Sequence, residues 1–236
     1  MKYSIVIPLK DEEENISQLI TEVETVMNTF DEPWEMICID DGSTDDTKKL
    51  LEQYSKKKPY LRVLIFDKNY GQSSAFSAGF KASLGEFVIT MDGDCQNDPQ
   101  DIPKMVEKAR DADLVCGIRA KRKDTWLKRG ISFFANKIRS KACKDGMEDT
   151  GCSLKVYRRS CLEEIKMFDG MHRFLPALFT MEGFRTKQIP VNHRARPAGT
   201  SKYNLFNRSF NTVFDLFAVV WMRKRTLSYK IDRELP

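Results

Sequence analysis

Three acidic clusters carry most of the chemistry legible in this chain: Lys10-Asp11-Glu12, Asp40-Asp41 and Asp92-Gly93-Asp94. Carboxylates held close together repel one another unless a cation or hydrogen-bond donors compensate. An Asp-x-Asp at the end of a strand can direct oxygen at a hard divalent ion, Mg²⁺ or Mn²⁺, and such an ion also holds substrate phosphates. Turn aspartates are more often merely solvated, so position decides. Each cluster here follows a short apolar run, which favours the metal reading for Asp92 and Asp94. No G-x-G-x-x-G follows the first such run and no G-x-x-x-x-G-K-[ST] occurs, which disfavours dinucleotide and P-loop chemistry. The charge of a diphosphate would then fall to a metal and to basic side chains.

These clusters need elements that bring them together. Tyr3 to Ile7 is a β-branched run ended by Pro8, a strand of buried type. Ile16, Leu19, Ile20, Val23, Val26, Met27 and Phe30 recur at helical spacing and predict a helix from Asn15 to Phe30. Further strands are predicted at Met36–Ile39, Val63–Phe66, Phe87–Met91 and Leu114–Cys116. Helices are predicted through Leu50, Leu51 and Tyr54, after Gly71, and from Pro99, which suits a first helical turn. Strands separated by helix-length segments imply an α/β fold with a mainly parallel, doubly wound sheet. Ligands of such sheets bind at the carboxyl ends of the strands, where all three clusters should meet.

The 236 residues are 41% hydrophobic and 31% charged, enough to bury a full core and incompatible with wholesale disorder. The net charge of +5 conceals an asymmetry. Residues 1–117 hold 13 Lys and Arg against 23 Asp and Glu, whereas residues 118–236 hold 26 against 11. The acidic half suits a metal; the basic half suits phosphates, an anionic membrane surface or nucleic acid. No nucleic-acid motif is present and the acidic half would repel a phosphate backbone, so a nucleic-acid partner is not expected. The six cysteines form no C-x-x-C pair and read as free thiols of a reducing cytoplasm.

The segments Ile7-Pro8-Leu9-Lys10-Asp11-Glu12, Ile39-Asp40-Asp41-Gly42-Ser43 and Met91-Asp92-Gly93-Asp94-Cys95-Gln96 resemble those of family 2 glycosyltransferases. Later segments extend the resemblance in matching order: Gly117-Ile118-Arg119, Asp149-Thr150-Gly151-Cys152 and Arg196-Pro197-Ala198-Gly199-Thr200-Ser201-Lys202-Tyr203. The most similar branch is that of the dolichyl- or polyprenyl-phosphate sugar synthases. The resemblance implies the nucleotide-diphospho-sugar (GT-A) fold, with a basic, helix-rich C-terminal part. It implies that Pro8, Glu12, Asp40, Asp92 and Arg119 bind the donor, and that Asp94, Gln96 and Asp92 hold Mg²⁺ or Mn²⁺ on its diphosphate. Lys128, Arg129, Ser132, Arg196, Ser201 and Lys202 would meet phosphate on the acceptor side or close over the donor. Asp149 stands where the family places its base and, with Asp92, is the catalytic candidate. A lipid phosphate has a second pKa near ~6 by analogy with phosphorylated side chains and is already nucleophilic, so Asp149 is expected as a base or as an orienting carboxylate. The alternative for Asp149 is a plain turn residue before Gly151. The family usually has Tyr-Asn where this chain has Lys10-Asp11.

Toward the C-terminus, Phe206, Phe210, Val213, Phe214, Phe217, Val220 and Trp221 repeat at helical spacing and end in Arg223-Lys224-Arg225. Trp126-Leu127-Lys128-Arg129 has the same character. An aromatic face with a basic end suits a helix lying in the headgroup region of an anionic membrane; a helix packed on its own core is the other reading. No signal peptide opens the chain, and the run Leu216–Met222 is far short of the ~18–20 apolar residues of a membrane span. Membrane contact is therefore expected to be peripheral, on the cytoplasmic face, or supplied by a membrane partner subunit. The organisation expected is one catalytic domain over 1–210 and an amphipathic basic helix and tail over 211–236. The function expected is inverting, metal-dependent transfer of a sugar from a nucleotide-diphosphate donor, GDP-mannose or a UDP-sugar, to a polyprenyl phosphate. The alternatives are transfer to a saccharide or glycolipid hydroxyl, and a catalytically degenerate binding subunit.

Overall fold

The computed structural model describes residues 1–119, 139–197, 205–227, 230 and 232–233, with side chains of the last helix from Thr212 onward. Seven strands form one sheet: β1 (Tyr3–Leu9), β2 (Trp34–Asp40), β3 (Leu61–Ile65), β4 (Phe87–Thr90), β5 (Leu114–Arg119), β6 (Lys155–Arg158) and β7 (Thr186–Val191). Their order across the sheet is β3-β2-β1-β4-β6-β5-β7. β1 runs parallel to β2 and β4, β2 parallel to β3, and β5 parallel to β7. β6 alone is antiparallel, to both β4 and β5. The sheet is thus mixed, and mainly parallel as the alternating pattern of the acidic half implies.

Both faces of the sheet are covered, which explains why its strands read as unbroken apolar runs. Ile5, Ile7 and Leu9 face a layer built on α1 (Ile16–Met27), whose Ile16, Leu19, Ile20, Val23, Val26 and Met27 are all buried. Val6, Ile37, Ile39 and Val88 face the opposite layer, with Ala75, Phe76 and Phe80 of α3 (Gln72–Ala82). Between these helices in sequence lies α2 (Thr47–Ser55), and α4 (Ile102–Ala109) follows a 3-10 turn at Pro99–Asp101. Two short helices, α5 (Arg159–Glu164) and α6 (Leu175–Met181), complete the second layer.

The last helix, α7 (Leu205–Lys224), passes unbroken through the boundary expected at 210. It is docked on the domain: Val219 is fully buried against Cys143, Phe174 and Ala177, and Leu216 packs beside it. Its other face presents Val213, Phe214, Phe217 and Trp221, each at least half exposed. The reading of a helix packed on its own core therefore holds for one face, while the other face is left exposed and apolar. Among the described residues no helix is long and apolar enough to cross a membrane. All six cysteines are free and buried.

The register places the site. Leu9 lies opposite Asp40, and the Asp41 N–H donates to the Leu9 carbonyl at 2.8 Å. β4 lies on the other side of β1, so the chain leaves β1 in one direction and returns at β4 in the other. That reversal opens a crevice at the carboxyl ends of β1 and β4. Helix α3, whose first residues enter the crevice, sits close on the sheet because residue 79 is glycine. A Cβ there would stand 2.3 Å from Val6 Cγ1 and 2.9 Å from Ile39 Cδ1. Gly79→Ala is accordingly expected to destabilise the fold by about 1–3 kcal/mol through overpacking. Urea denaturation measures it, and an unchanged midpoint would contradict this close contact.

Candidate active site

A cavity of about 860 Å³ opens at the carboxyl ends of the strands. Its walls are Pro8 to Glu12 after β1, Asp41 after β2, Asn69 and Gly71 to Ser73 leading into α3, and Asp92 to Asp94 after β4. Arg196 and the segment Asp169 to Arg173 close it, and Phe214 and Asp215 of α7 stand at its rim. The three acidic clusters do converge, and the cavity is what they converge on.

Each carboxylate has its own compensation. Asp41 accepts the backbone N–H groups of Tyr70 at 2.7 Å and Gly71 at 3.0 Å. Burial pushes its pKa up, against those two bonds and the Lys10 charge. Glu12 accepts from Asn15 Nδ2 at 2.6 Å, and its own N–H donates to Thr47 Oγ1 at 2.8 Å. Asp92 accepts from Gln72 Nε2 at 3.0 Å, while its N–H donates to Asn97 Oδ1 at 3.0 Å. Burial, then the Asp94 charge, raise the Asp92 pKa; Ser153, Lys155 and Arg119 oppose the rise. Asp94 accepts from Arg196 Nη2 at 2.8 Å, and Arg196 Nη1 lies 3.8 Å from Glu12 Oε1.

The Asp92–Asp94 turn is built to sit against β1. A Cβ on Gly93 would lie 2.2 Å from Leu9 Cδ2, so a side chain there would have to push the buried Leu9 side chain aside. Cys95 takes a left-handed φ of 56°, and Asn97 ties the turn to Ser153 at 2.7 Å. Arg194 pairs with Glu22 and donates to the Asn97 carbonyl at 2.9 Å, which brings the segment carrying Arg196 over the turn.

The expected residues divide into three groups. Pro8, Glu12, Asp92, Asp94 and Arg196 line the cavity. Asp40, Gln96, Arg119 and Asp149 are not among the residues lining it, although Asp40 and Gln96 are close in the chain to ones that are. Asp40 accepts the Ser43 N–H at 3.2 Å and stabilises the turn; its neighbour Asp41 faces the cavity instead. Gln96 donates its amide to the Arg194 carbonyl at 3.3 Å. Arg119 and Asp149 form a two-pronged ion pair, Nε to Oδ2 and Nη2 to Oδ1, both 2.7 Å. Gly151 leaves room for it, since a Cβ there would be 2.8 Å from Arg119 Nη2. Lys128, Arg129, Ser132, Ser201 and Lys202 lie outside the described residues, as does the Trp126–Arg129 patch.

Several cavity residues had no motif to announce them. Gln72 and Ser73 open α3, and Ser73 Oγ lies 2.7 Å from His172 Nδ1 and accepts the Gly170 N–H at 3.0 Å. His172 and Arg173 belong to a 3-10 turn, Met171–Arg173, and Arg173 Nη1 donates to Thr212 Oγ1 of α7 at 2.9 Å. The one signal in the sequence was that His172 and Arg173 precede Phe174-Leu175-Pro176, a segment that itself resembles the family, although an ordinary polar loop was the other reading.

The comparisons with known proteins agree with this architecture. The model of the family described as "Glycosyl transferase family 2" matches residues 4–166. A dodecaprenyl-phosphate galacturonate synthase of Rhizobium johnstonii is 37% identical over 230 residues, which is 95% of this chain and 68% of that protein. Among solved structures, glucosyl-3-phosphoglycerate synthase from Mycobacterium tuberculosis, in complex with Mn²⁺, UDP and phosphoglyceric acid, shares the fold at a TM-score of 0.70. It is 16% identical, over 96% of this chain and 80% of that one. A mannosyltransferase from Pyrobaculum calidifontis, in complex with GDP-Man and Mn²⁺, has a TM-score of 0.67 at 18% identity, over 94% of this chain and 64% of that one.

Two outcomes follow from the site as built. Removing one partner of a buried ion pair strands the other, so Asp149→Ala is expected to cost about 3–5 kcal/mol in chemical denaturation. The folded state prefers Asp92 neutral, so its charged form costs stability as pH rises through its raised pKa, and the cost is absent below the ordinary carboxylate range. Asp92→Asn is therefore expected to exceed the wild type in stability at neutral pH in EDTA, the gap closing as pH falls. Denaturation curves at several pH values check both the sign and the closing.

Proposed function

Because the chain belongs to glycosyl transferase family 2, and is therefore a glycosyltransferase, we propose that it moves a sugar from a nucleotide-diphosphate donor to a polyprenyl phosphate at a membrane surface. One observation carries this reading. The cavity runs from the carboxylates after β4 to Phe214, and the helix bearing Phe214 continues outward as an exposed aromatic stripe ending in Arg223 and Lys224. A polar diphosphate and a lipid tail can thus be served from one continuous site. The relative named dodecaprenyl-phosphate galacturonate synthase supports the same acceptor class and points to galacturonic acid as the first sugar to try.

A divalent cation suits the residues present. Asp92 and Asp94 offer hard oxygens on one wall, where Arg196 now pairs with Asp94 and would share that carboxylate with the ion. Among the described residues no three His, Cys, Asp or Glu side chains gather into a metal site, so the diphosphate would complete the coordination. Asp92 and Asp94 would hold the ion; the Gln96 amide, committed to the Arg194 carbonyl, is poorly placed to help. When bound, Mg²⁺ or Mn²⁺ supplies charge stabilisation to the departing diphosphate.

The reaction is a single displacement with inversion. A phosphate oxygen of the lipid forms a bond to the anomeric carbon, the bond from that carbon to the β-phosphate oxygen breaks, and its electron pair leaves with the nucleoside diphosphate. The acceptor is already ionised at neutral pH, so no base is required to start it. Asp92, fixed by Gln72, is the carboxylate assigned here to stabilise positive charge developing on the sugar. Asp149, committed to Arg119, acts by holding that arginine rather than by taking a proton. Contact with the membrane is peripheral, on the cytoplasmic face, with the α7 stripe in the headgroup region and its basic end on anionic lipid.

The test is reconstitution. The chain is incubated with polyprenyl phosphate in anionic vesicles, a panel of UDP-galacturonic acid, UDP-glucose and GDP-mannose, and either Mn²⁺ or EDTA. Mass spectrometry is expected to find a polyprenyl-phosphate-linked sugar from one donor, in Mn²⁺ only, and Asp94→Ala is expected to lower its yield by about 10²-fold or more. Transfer to a sugar hydroxyl in preference to the lipid, or product formation indifferent to EDTA, would overturn the reading.

A further inference from the structure

The two ends of the cavity differ in chemistry. One end opens at Phe214 beside the exposed aromatic face of α7; the other, between the ends of β1 and β2, is walled by Lys10, Asp11, Asp41 and Asn69. The reacting diphosphate belongs between them, at Asp92 and Asp94. If the lipid enters at the apolar end, as the proposed function requires, the nucleoside of the donor is left with the polar end.

Lys10 is the cation of that end. It is the first residue after β1, and its Nζ donates to the carbonyl of Gly42, which anchors the long side chain across the turn after β2. Gly42 can sit there only as glycine: its φ is 66°, and a Cβ would stand 2.4 Å from the Lys68 carbonyl carbon. The Asp41 carboxylate lines the same cavity, and the ammonium charge opposes the rise that burial imposes on its pKa. Asp41 is itself held by the Tyr70 and Gly71 N–H groups. The wall therefore offers a group that only donates beside a group that only accepts. Uracil and guanine present the complement, a ring carbonyl next to a ring N–H. Cytosine and adenine present the reverse, an amino group next to a bare ring nitrogen.

We propose that Lys10 reads the ring carbonyl of the donor's base, so that it sets a preference for keto over amino bases. The inference rests on the proposed function for the direction in which the donor lies, and goes beyond it in assigning a base-selecting residue.

UDP and CDP test it, because they differ only at this edge of the ring. Isothermal titration of the whole chain with each, in Mn²⁺, is expected to give UDP at least about tenfold the affinity of CDP, as for a charged hydrogen bond made in one case and denied in the other. Lys10→Met is expected to bring the two to within about threefold, chiefly by weakening UDP, while Lys10→Arg, which still donates, keeps the preference. Thermal melts of both variants establish that they are folded. A wild type that does not separate UDP from CDP overturns the inference, as does a Lys10→Met ratio equal to that of the wild type. Equal weakening of both nucleotides in Lys10→Met also overturns it, since that marks a phosphate contact. Failure of UDP, GDP and CDP alike to bind would remove the donor site and the proposed function with it; nucleotide binding indifferent to residue 10 would remove only the inference.

Discussion

Glu12, Asp41, Asp92 and Asp94 are four of the seven carboxylates that line one cavity among the described residues, and the cost of holding them together governs how the surrounding chain is built. Like charges at such range raise one another's pKa and drive the walls apart unless each meets a donor or a cation. Here the compensation is distributed. Backbone N–H groups before α3 serve Asp41, a side-chain amide at the start of α3 serves Asp92, Asn15 serves Glu12, and Arg196 stands between Glu12 and Asp94. Asp92, beside Asp94, retains a raised pKa even so.

That constraint explains the close fit of elements around the site. Gly79 lets α3 settle on Val6 and Ile39, which brings Gln72 and Ser73 to the cavity. Gly93 lets the turn after β4 lie on Leu9, and Arg194 clamps the segment bearing Arg196 across Asn97 and Glu22. None of these contacts is chemistry in itself. Each removes freedom from a carboxylate or its partner, and fixed charges do more in a confined cavity than mobile ones in water.

The charge asymmetry between the halves becomes intelligible in the same terms. The acidic half builds β1 to β4 and the carboxylate wall, and the basic half returns over it with Arg173, Arg196 and α7. Arg119 and Asp149 form a second charged centre, a two-pronged ion pair that is not among the residues lining the cavity. The amphipathic last helix divides by face, with Val219 buried in the domain and Phe217 and Trp221 facing outward.

Local pattern was enough for the first half of the fold. The runs at Tyr3–Ile7 and Phe87–Met91 and the helical spacing from Ile16 to Met27 announce their elements, because burial on both faces or on one stripe leaves a period in the residues themselves. β6 and β7 left no such period: β6 is four residues with Lys155 and Arg158 at its ends, and β7 contains Pro190 and exposed positions. They are strands because β4 and β5 offer them edges, and a partner is not a property of the segment. The same holds for the site. The types and strand-end positions of the acidic clusters determined that carboxylates would meet. Which of Asp40 and Asp41 faces the cavity, that Asp149 is taken by Arg119, and that Ser73 meets His172 were decided only in three dimensions. Neighbours in sequence point to different sides of a turn, and residues far apart in the chain meet only when packing brings them together.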